Sequence, residues 1–402
     1  MHRVTLLLFS GLVLLIQQLG AQQKAQRSAI EQGVRIAQVG VDVGTRDLLS
    51  HANKEKVQAA TVPVLLPKVP AALAAMNLIV EKTFYSAAWA VSEDARANIE
   101  GSRIAFRYPD FKMHRAEENT RKVRSSSGVV TQSEGIWTVA WNEYGASYVL
   151  AIECSNPAVP TCSQEGVVTV ANDLRYVGGG ENAPSGRSAP QDISPNAAKH
   201  VDAQFQYNPP GLLVPGSGQG LPDSTIYAPG IRFPIDQKPA FANSQVWNPG
   251  GMNGPANGSQ CDPHNYSYPW WDNFCETRAF DTPVCPASTG HQGQDIRPPS
   301  CKTDYYPVVA VDDGLVTHIG SFSVVITDSG GTQFHYLHMS SLKITQGQRV
   351  TRGQQLGNVS NVFGTSTTTI HLHFEIVQNV DNYGFTHVSP YMSLVTAYEQ
   401  LP

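Results

Sequence analysis

The sequence predicts a mainly β protein, in which a C-terminal antiparallel, β-sandwich-like domain follows a small α+β domain. Residues Ile370–Ile376 alternate strictly between apolar and polar side chains, which is typical of a strand with one buried face. Upstream, short β-rich runs are separated by glycines such as Gly314, Gly320 and Gly347, which are typical turn residues. The predicted strands are Val308–Val311, Leu315–Ile319, Ser323–Asp328, Thr332–His338, Gln355–Val359 and Ile370–Val377.

The chain begins with a segment that is typical of a secretory signal. Residues 1–21 contain a basic start, an apolar run over Val4–Ile16 and a small residue, Ala21, for cleavage. The apolar run is shorter than the roughly 20 residues that cross a bilayer, so we expect no stable membrane span after cleavage. A single anchoring helix is the alternative. Residues 22–60 are polar and rich in Ala and Gln, and they predict a flexible lead.

Residues 61–178 predict the small α+β accessory domain. An Ala-rich helix is expected in it, and Ile136–Asn142 and Ser147–Glu153 predict a hairpin. None of its residues shows catalytic spacing. The next stretch, 179–225, is rich in Gly, Pro, Ser and Asn and predicts a linker. The C-terminal domain is then expected over residues 226–402.

The charge composition argues against a nucleic-acid partner. The chain has 28 basic and 33 acidic residues, a net charge of -5, and no long basic run. Phosphate binding needs a concentrated positive surface. The composition leaves the oligomeric state open.

Six cysteines follow the predicted signal and favour an oxidising compartment. Cys154 and Cys162 lie close together and predict a local disulfide. Three pairings remain open among the other four cysteines. Those four are Cys261, Cys275, Cys285 and Cys301. A zinc site made of cysteines is the alternative, but the chain has no Cys-x-x-Cys pair.

Four histidines and one aspartate near the C-terminus form three short motifs. These motifs are His291-x-Gly-x-Asp295, Tyr336-Leu337-His338 and His371-Leu372-His373. A strand over the last motif places His371, His373 and Glu375 on one face, with the two imidazoles roughly 6.5 to 7 Å apart. Catalytic zinc typically takes three protein ligands from His, Asp and Glu and leaves a fourth position for water. Together the motifs therefore predict a catalytic zinc site.

These motifs resemble those of the lysostaphin-like, LytM-type zinc endopeptidases, which cut peptide bonds in bacterial cell-wall peptidoglycan. The resemblance extends over Tyr227–Leu394. Further segments that carry it are Asp312–Val316, Tyr336–Met339, Gln346–Val350 and Arg352–Gly357. The resemblance implies a metallopeptidase domain with one Zn²⁺ per chain, a peptidoglycan peptide as substrate, and export to the periplasm or the cell envelope.

Carried over position by position, the resemblance implies that His291, Asp295 and His373 ligate zinc, while His338 and His371 act on the substrate. We assign the general base to His371 and the stabilising role to His338, although the two roles could be exchanged. The chain's other histidines in this region are expected to be surface or packing residues. They are His318, His335 and His387.

Two other classes of function remain open. A catalytically silent protein that binds peptidoglycan or activates a hydrolase would share the fold, and a biotinyl- or lipoyl-carrier domain would share the glycine-rich Val350–Gly357 region. The glycine-rich region argues against a carrier domain, because it lacks the exposed lysine that is modified in such domains. We further hypothesise that the N-terminal domain folds back over the cleft and inhibits the enzyme, since a linker of this length would permit it.

Overall fold

The computed structural model describes residues 27–36, 39–114, 120–184, 186–188, 191–193 and 205–401. The predicted signal peptide, residues 1–21, lies outside these ranges. Across the described ranges, no helix is long and apolar enough to cross a membrane.

Most of the regular structure is β. The strands are β1 (Arg27–Glu31), β2 (Val64–Leu66), β3 (Asn77–Val80), β4 (Phe84–Ser92), β5 (Ala95–Ser102), β6 (Ile104–Arg107), β7 (Thr120–Val123), β8 (Ser126–Ser133), β9 (Ile136–Glu143), β10 (Ala146–Cys154), β11 (Arg175–Gly178), β12 (Gln191–Ile193), β13 (Phe241–Ala242), β14 (Gln294–Arg297), β15 (Pro307–Val309), β16 (Gly314–Ile319), β17 (Ser323–Thr327), β18 (Gln333–Leu337), β19 (Met339–Ser340), β20 (Arg349–Val350), β21 (Gln355–Phe363), β22 (Ser366–Val380) and β23 (Gly384–Val388). The helices are α1 (Val43–Asp47), α2 (His51–Ala59), α3 (Pro70–Ala75), α4 (Gln164–Asp173) and α5 (Tyr391–Glu399), and a 3-10 helix covers Pro263–Tyr266.

The N-terminal half contains an antiparallel seven-stranded sheet in the order β3-β4-β5-β10-β9-β8-β7. Alternate residues of its strands, including Trp89 and Trp141, are buried in one hydrophobic core. Helices α2, α3 and α4 add Val57, Leu73 and Val167 to that core. The mainly β fold with a small α+β unit in front is thereby confirmed.

Strand β22 is the centre of the C-terminal sheet. It pairs antiparallel with β14, β18, β21 and β23, and the sheet continues from β18 through β17 and β16 to β20. Leu372, Phe374 and Ile376 of β22 are buried in the core. Because side chains alternate along a strand, His373 and Glu375 lie on the opposite face.

The seven-stranded sheet packs against that opposite face through polar contacts and through a small apolar cluster that contains Val149, Val377 and Phe385. Its strand residues Glu100 and Glu153 are buried and accept hydrogen bonds from hydroxyl groups of the C-terminal sheet. The Thr327 hydroxyl donates to Glu100 Oε2 at 2.9 Å, and the Ser321 hydroxyl donates to Glu153 Oε1 at 2.7 Å. Ser323 donates to the second oxygen of Glu153. Both faces of β22 are therefore covered.

Strand β6 has a different place from the predicted one. The sequence assigns Ile104–Arg107 to the accessory domain. In the structure this strand pairs with β1 and contacts β22 in parallel at Phe106 and Val380. It therefore extends the C-terminal sheet, because the edge of β22 supplies the hydrogen-bonding partners that a strand needs.

The predicted flexible lead, residues 22–60, contains β1, α1 and α2 over its described part. Asp42 Oδ1 accepts a hydrogen bond from the Thr45 amide at 2.8 Å, and the Ser50 hydroxyl accepts one from the Asn53 amide at 3.3 Å. These are N-cap contacts, which satisfy the free amides of the first helical turn. Amino-acid composition alone does not reveal these N-cap contacts.

The described end of the predicted linker, residues 205–225, packs against the C-terminal domain. The ring centroid of Phe205 lies 4.7 Å from those of both Trp270 and Tyr398, and the Gly211 amide donates to Asp272 Oδ2 at 2.8 Å. Aromatic anchors outweigh the Gly- and Pro-rich composition here. The domain boundaries themselves stay predictions.

The six cysteines form three disulfides, Cys154–Cys162, Cys261–Cys301 and Cys275–Cys285. The local pair is confirmed. The structure selects one of the three pairings that the sequence leaves open for the other four cysteines.

Candidate metal centre

Strands β14 and β22 bring two of the predicted ligands together. Asp295 and His373 lie directly opposite each other in this antiparallel pair. The sequence predicts a loop for His291 and Asp295, because Pro298 and Pro299 exclude a helix there, so the place of Asp295 in β14 is a correction. Only His291 precedes the strand, where its amide donates to the Glu276 carbonyl and its own carbonyl accepts from the Cys275 amide, both at 2.9 Å.

Gly293 permits the tight approach of these segments. A Cβ atom at this position would lie 2.7 Å from His373 Nε2 and 2.7 Å from the Phe374 carbonyl oxygen. Real Cβ atoms do not approach other atoms so closely. Only glycine therefore lets the His291 loop lie against β22.

Three atoms of the predicted ligands form a small triangle. His373 Nδ1 lies 3.0 Å from Asp295 Oδ1 and 3.0 Å from His291 Nε2, and His291 Nε2 lies 3.3 Å from Asp295 Oδ1. Ligands about 2.0–2.1 Å from a tetrahedral zinc ion are separated by roughly 3.3 Å. The three side chains present therefore fit a zinc ion.

Outer hydrogen bonds orient the two imidazoles. His291 Nδ1 lies 3.0 Å from the Asn273 carbonyl oxygen, and His373 Nε2 lies 2.9 Å from Glu375 Oε1. Because both of these oxygens are acceptors, each ring places its proton there and turns its other nitrogen inward with a free lone pair. Such partners are typical of metal-ligating histidines.

The two histidines predicted to act on the substrate lie beside this triangle. The ring centroids of His338 and His371 are 4.7 Å apart, and His371 Nε2 lies 3.5 Å from Asp295 Oδ1. His338 Nδ1 contacts the Val362 carbonyl at 2.9 Å, and His371 Nδ1 contacts the Thr369 carbonyl at 2.8 Å. Each ring is thereby held with Nε2 as its basic nitrogen.

His338 reaches the site through an unusual backbone conformation. The predicted strand Thr332–His338 ends in the structure at Leu337, and His338 has a φ of 62°. An unbroken strand would place His338 on the face of Phe334 and Tyr336, which is the core side. The left-handed conformation turns it instead toward His371, and such strain is characteristic of functional positions.

Burial and neighbouring charges set the protonation states. Burial would raise the pKa of Asp295, but His291 and His371 hold that pKa well below its usual range. Burial lowers the pKa of His371 to about 4 and the pKa of His338 well below its ordinary value. Both histidines are therefore neutral at pH 7 and can accept a proton.

His373 behaves in the opposite way. Burial would lower its pKa, but hydrogen bonds with Asp295 and Glu375 raise it to about 10. A cation is therefore favoured between His373 and Asp295. A proton can supply that charge, and so can a metal ion.

Glu134 is a residue of this site that sequence reasoning missed. It lies in the turn between β8 and β9 with a φ of 49°. One of its carboxylate oxygens lies within 4.8 Å of ligand nitrogens of His291 and His373, and Oε2 is 4.0 Å from His338 Nε2. The only local signal for Glu134 was its position in a tight hairpin turn. The sequence does not show that its side chain contacts the histidines of the site.

The site is closed to solvent. His371 is the most exposed of the five predicted site residues, at 3%. The turn that carries Glu134 belongs to the seven-stranded sheet. The N-terminal half of the chain therefore contributes a wall to a centre built by the C-terminal half.

Two histidines and a carboxylate form a buried triangle, and two basic imidazoles lie beside it. A metal-dependent hydrolase requires this arrangement. Residues 289–384 match the family model of peptidase family M23. This segment is a peptidase M23 domain, and the resemblance to the lysostaphin-like enzymes is confirmed.

Two curated proteins are similar over part of the chain. Protease LasA of Pseudomonas aeruginosa is 32% identical over 80 residues, which cover 18% of this chain and 19% of that protein. The peptidoglycan DD-endopeptidase ShyA of Vibrio cholerae is 32% identical over 100 residues, which cover 24% of this chain and 22% of that protein. The matched segments thus span about one fifth of each relative.

Among solved structures, the catalytic domain of lysostaphin from Staphylococcus simulans is similar with 22% identity and a TM-score of 0.23. The match covers 28% of this chain and 86% of the lysostaphin domain.

Proposed function

We propose that the protein is a zinc-dependent endopeptidase that hydrolyses peptide cross-links of bacterial peptidoglycan. The observation that carries the proposal is the triangle of His291 Nε2, Asp295 Oδ1 and His373 Nδ1, with edges of 3.0–3.3 Å. The M23 match supports a peptidase, and the relatives named as a protease and a peptidoglycan endopeptidase support the substrate class.

His291, Asp295 and His373 would hold one zinc ion. When bound, zinc polarises a scissile carbonyl and lowers the pKa of a water molecule to about 7. Asp295 contributes the single negative charge of the ligand set. Glu375 and the Asn273 carbonyl hold the two imidazoles in the orientation that ligation needs.

His371 and His338 would move the protons. The basic Nε2 of His371 faces the ligand triangle, so this atom accepts the proton of the attacking water. The imidazolium formed in this way can donate the same proton from Nε2 to the leaving amine. His338 presents its own Nε2 on the same side; after it takes up a proton from solvent in the opened site, this atom would stabilise the developing negative charge. The geometry supports either assignment of the two roles.

The closed conformation is proposed to be a latent state. A carboxylate oxygen of Glu134 lies within 4.8 Å of ligand nitrogens of His291 and His373, so it fills space beside the proposed zinc position, and all five predicted site residues are buried. The contact between the two sheets includes buried hydrogen bonds to Glu100 and Glu153, and its apolar cluster of Val149, Val377 and Phe385 is small, which suits a contact that opens.

Export to the periplasm or the cell envelope is also proposed. It is supported by the three disulfides, by the signal-like residues 1–21 and by the peptidoglycan substrate expected of an M23 domain. The carrier-domain alternative has no support in the site.

A catalytically silent peptidoglycan-binding or hydrolase-activating protein is the second candidate, because the site is covered in this conformation. The two are separated by treating cross-linked sacculi with the mature protein and analysing the released fragments by mass spectrometry. Zinc-dependent release of cleaved cross-links, lost in His371→Ala, supports the enzyme. Binding to sacculi without release at full zinc loading supports the silent protein.

A further inference from the structure

A second cluster of metal-ligand side chains lies beside the first. Glu375 follows His373 by two positions on β22, and its Oε2 lies 3.0 Å from His335 Nδ1 on β18. The same oxygen lies 3.2 Å from His387 Nε2 on β23. The three ligand atoms all lie within 4.8 Å of one another.

The sheet register builds this cluster. His335 is directly opposite Glu375, and His387 is directly opposite Val377, the next residue of β22 on the same face. Three adjacent strands therefore present one ligand each from a rigid surface. The distances from carboxylate oxygen to imidazole nitrogen match those of the first centre, where they are 3.0 and 3.3 Å.

The hydrogen bonds around His335 favour a cation between these groups. Its Nε2 lies 3.1 Å from Gln333 Oε1, and with the Gln333 amide in this orientation Nε2 carries the proton. In the neutral ring, Nδ1 is then a bare lone pair facing the carboxylate of Glu375. Two acceptors 3.0 Å apart repel each other unless a positive charge lies between them. A metal ion supplies it, and an imidazolium at His335 would do so without a metal.

A small cavity provides space next to the cluster. His335 and His387 line a cavity of about 30 Å³ between the two sheets, together with His318, Glu153 and apolar side chains such as Val149 and Val377. A water molecule needs roughly 10–15 Å³ of such space, so a metal-bound water fits. His318 is 6% exposed, and its Nδ1 has no hydrogen-bond partner among the described residues. An aquated cation would give that nitrogen a donor.

We propose that His335, Glu375 and His387 form a second site for a divalent transition-metal ion, with zinc as the preferred ion. Two imidazoles and a carboxylate are a ligand set that zinc takes with a water in the fourth position. The two centres share Glu375, because its Oε1 contacts His373 while its Oε2 faces the second site. This goes beyond the one zinc ion that the resemblance implies, and it would give His335 and His387 a role other than the surface or packing role expected from the sequence.

Metal stoichiometry of the full mature chain tests the proposal. The protein is stripped with a chelator, equilibrated with Zn²⁺, separated from free metal and analysed by elemental analysis, with isothermal titration for affinity. The wild type should bind two zinc ions per chain, and His387→Gln should bind one. His264→Gln is the matched control, since the side chain of His264 is 88% exposed, and it should still bind two.

Asp295→Asn separates this proposal from the proposed function. This variant should lose the first ion and retain the second, and the double variant Asp295→Asn/His387→Gln should bind none. The second site is overturned if the wild type and His387→Gln each bind one zinc ion and Asp295→Asn binds none. That result would leave the enzyme proposal standing. Should His387→Gln fail to fold, anomalous diffraction from zinc-soaked wild-type crystals decides the matter. A zinc peak between the three ligand atoms supports the site, and a peak only at the first centre overturns it.

Discussion

Asp295 Oδ1 lies 3.0 Å from His373 Nδ1, and the two residues are register partners across β14 and β22. A backbone ladder thus fixes the distance between two predicted ligands on different strands. Sheet pairing positions side chains more rigidly than loops do, so this edge of the site is pre-organised before any metal binds.

Metal binding and turnover should separate in variants of the site. His373→Ala and Asp295→Ala remove atoms of the ligand triangle, so we expect both to lose the zinc ion of the first centre and all measurable activity. His371→Ala keeps the triangle and removes the proposed base. It should keep that zinc ion and lose roughly 10²–10⁴-fold in kcat. Elemental analysis with kinetics on a cross-linked peptide measures both. A metal-free His371→Ala beside a fully loaded His373→Ala would reverse the assignments.

Glu134→Gln should activate the enzyme on a small soluble cross-linked peptide. The amide keeps the shape of the side chain but loses the charge that faces His338 and the ligand histidines. We expect kcat/KM to rise several-fold, because less energy is needed to move the turn away.

Glu93→Gln is the matched control for this variant, since Glu93 is an exposed glutamate in the turn between β4 and β5. It should leave the rate unchanged. Equal rates for wild type and Glu134→Gln on the soluble peptide would argue that the N-terminal sheet does not restrain the site.

Gly293→Ala should damage the metal centre. The added methyl group would meet His373 Nε2 and the Phe374 carbonyl, each at 2.7 Å, and one of them is backbone. We expect a loss of about 1–3 kcal/mol in the free energy of unfolding and weaker zinc binding. Gly40→Ala, with no atom within 4 Å of its new Cβ, is the control. Denaturant unfolding with metal titration compares the two, and equal behaviour would contradict the packing argument.

The two C-terminal disulfides should stabilise the loop that carries His291. They close separations of 40 residues for Cys261–Cys301 and 10 residues for Cys275–Cys285. Loop-closure entropy assigns them roughly 4 and roughly 3 kcal/mol. Peptide mapping of exported protein without reductant should find these two linkages and no free thiol. Any other pairing would contradict the structure.

Glu100 should make the stability of the fold depend on pH. Burial raises the pKa of this carboxyl group from 4.5 to about 8 in the folded chain. The folded state therefore holds the proton more tightly than the unfolded state, and the free energy of unfolding falls as the pH rises from about 4.5 to about 8. Thermal unfolding at pH 5, 6, 7 and 8 should show this fall, and Glu100→Gln should reduce it. An identical pH profile in the variant would show that Glu100 is not its source.

The sequence predicts local structure well and non-local contacts poorly. The alternation in Ile370–Ile376 identifies the centre of β22, because this periodicity depends only on residues that are close in the sequence. It cannot show that β6 joins this strand, or that Glu134 reaches across from another sheet. The direction of His338 was also hidden, since a single positive φ reverses what strand alternation implies.

The roles proposed for His335 and His387 lie outside the sequence prediction for the same reason. Each looks like an isolated histidine in a β-rich run, and only the register of three strands brings them to Glu375. The pairing of the four C-terminal cysteines likewise depends on the path of the chain between them. By contrast, the three-motif pattern identified all five predicted site residues, and the structure places them together.

The pairing of β6 with β22 has a consequence for how the enzyme would be released. The cover and the site belong to one chain and stay joined along a strand edge, so opening is a unimolecular equilibrium. Dilution therefore leaves the closed fraction unchanged. Only a ligand with greater affinity for the open form, such as a strand of cross-linked wall polymer, shifts that equilibrium, and the shift is limited by the difference between its two affinities. The substrate itself would then act as the trigger, which confines activity to places where wall polymer is dense.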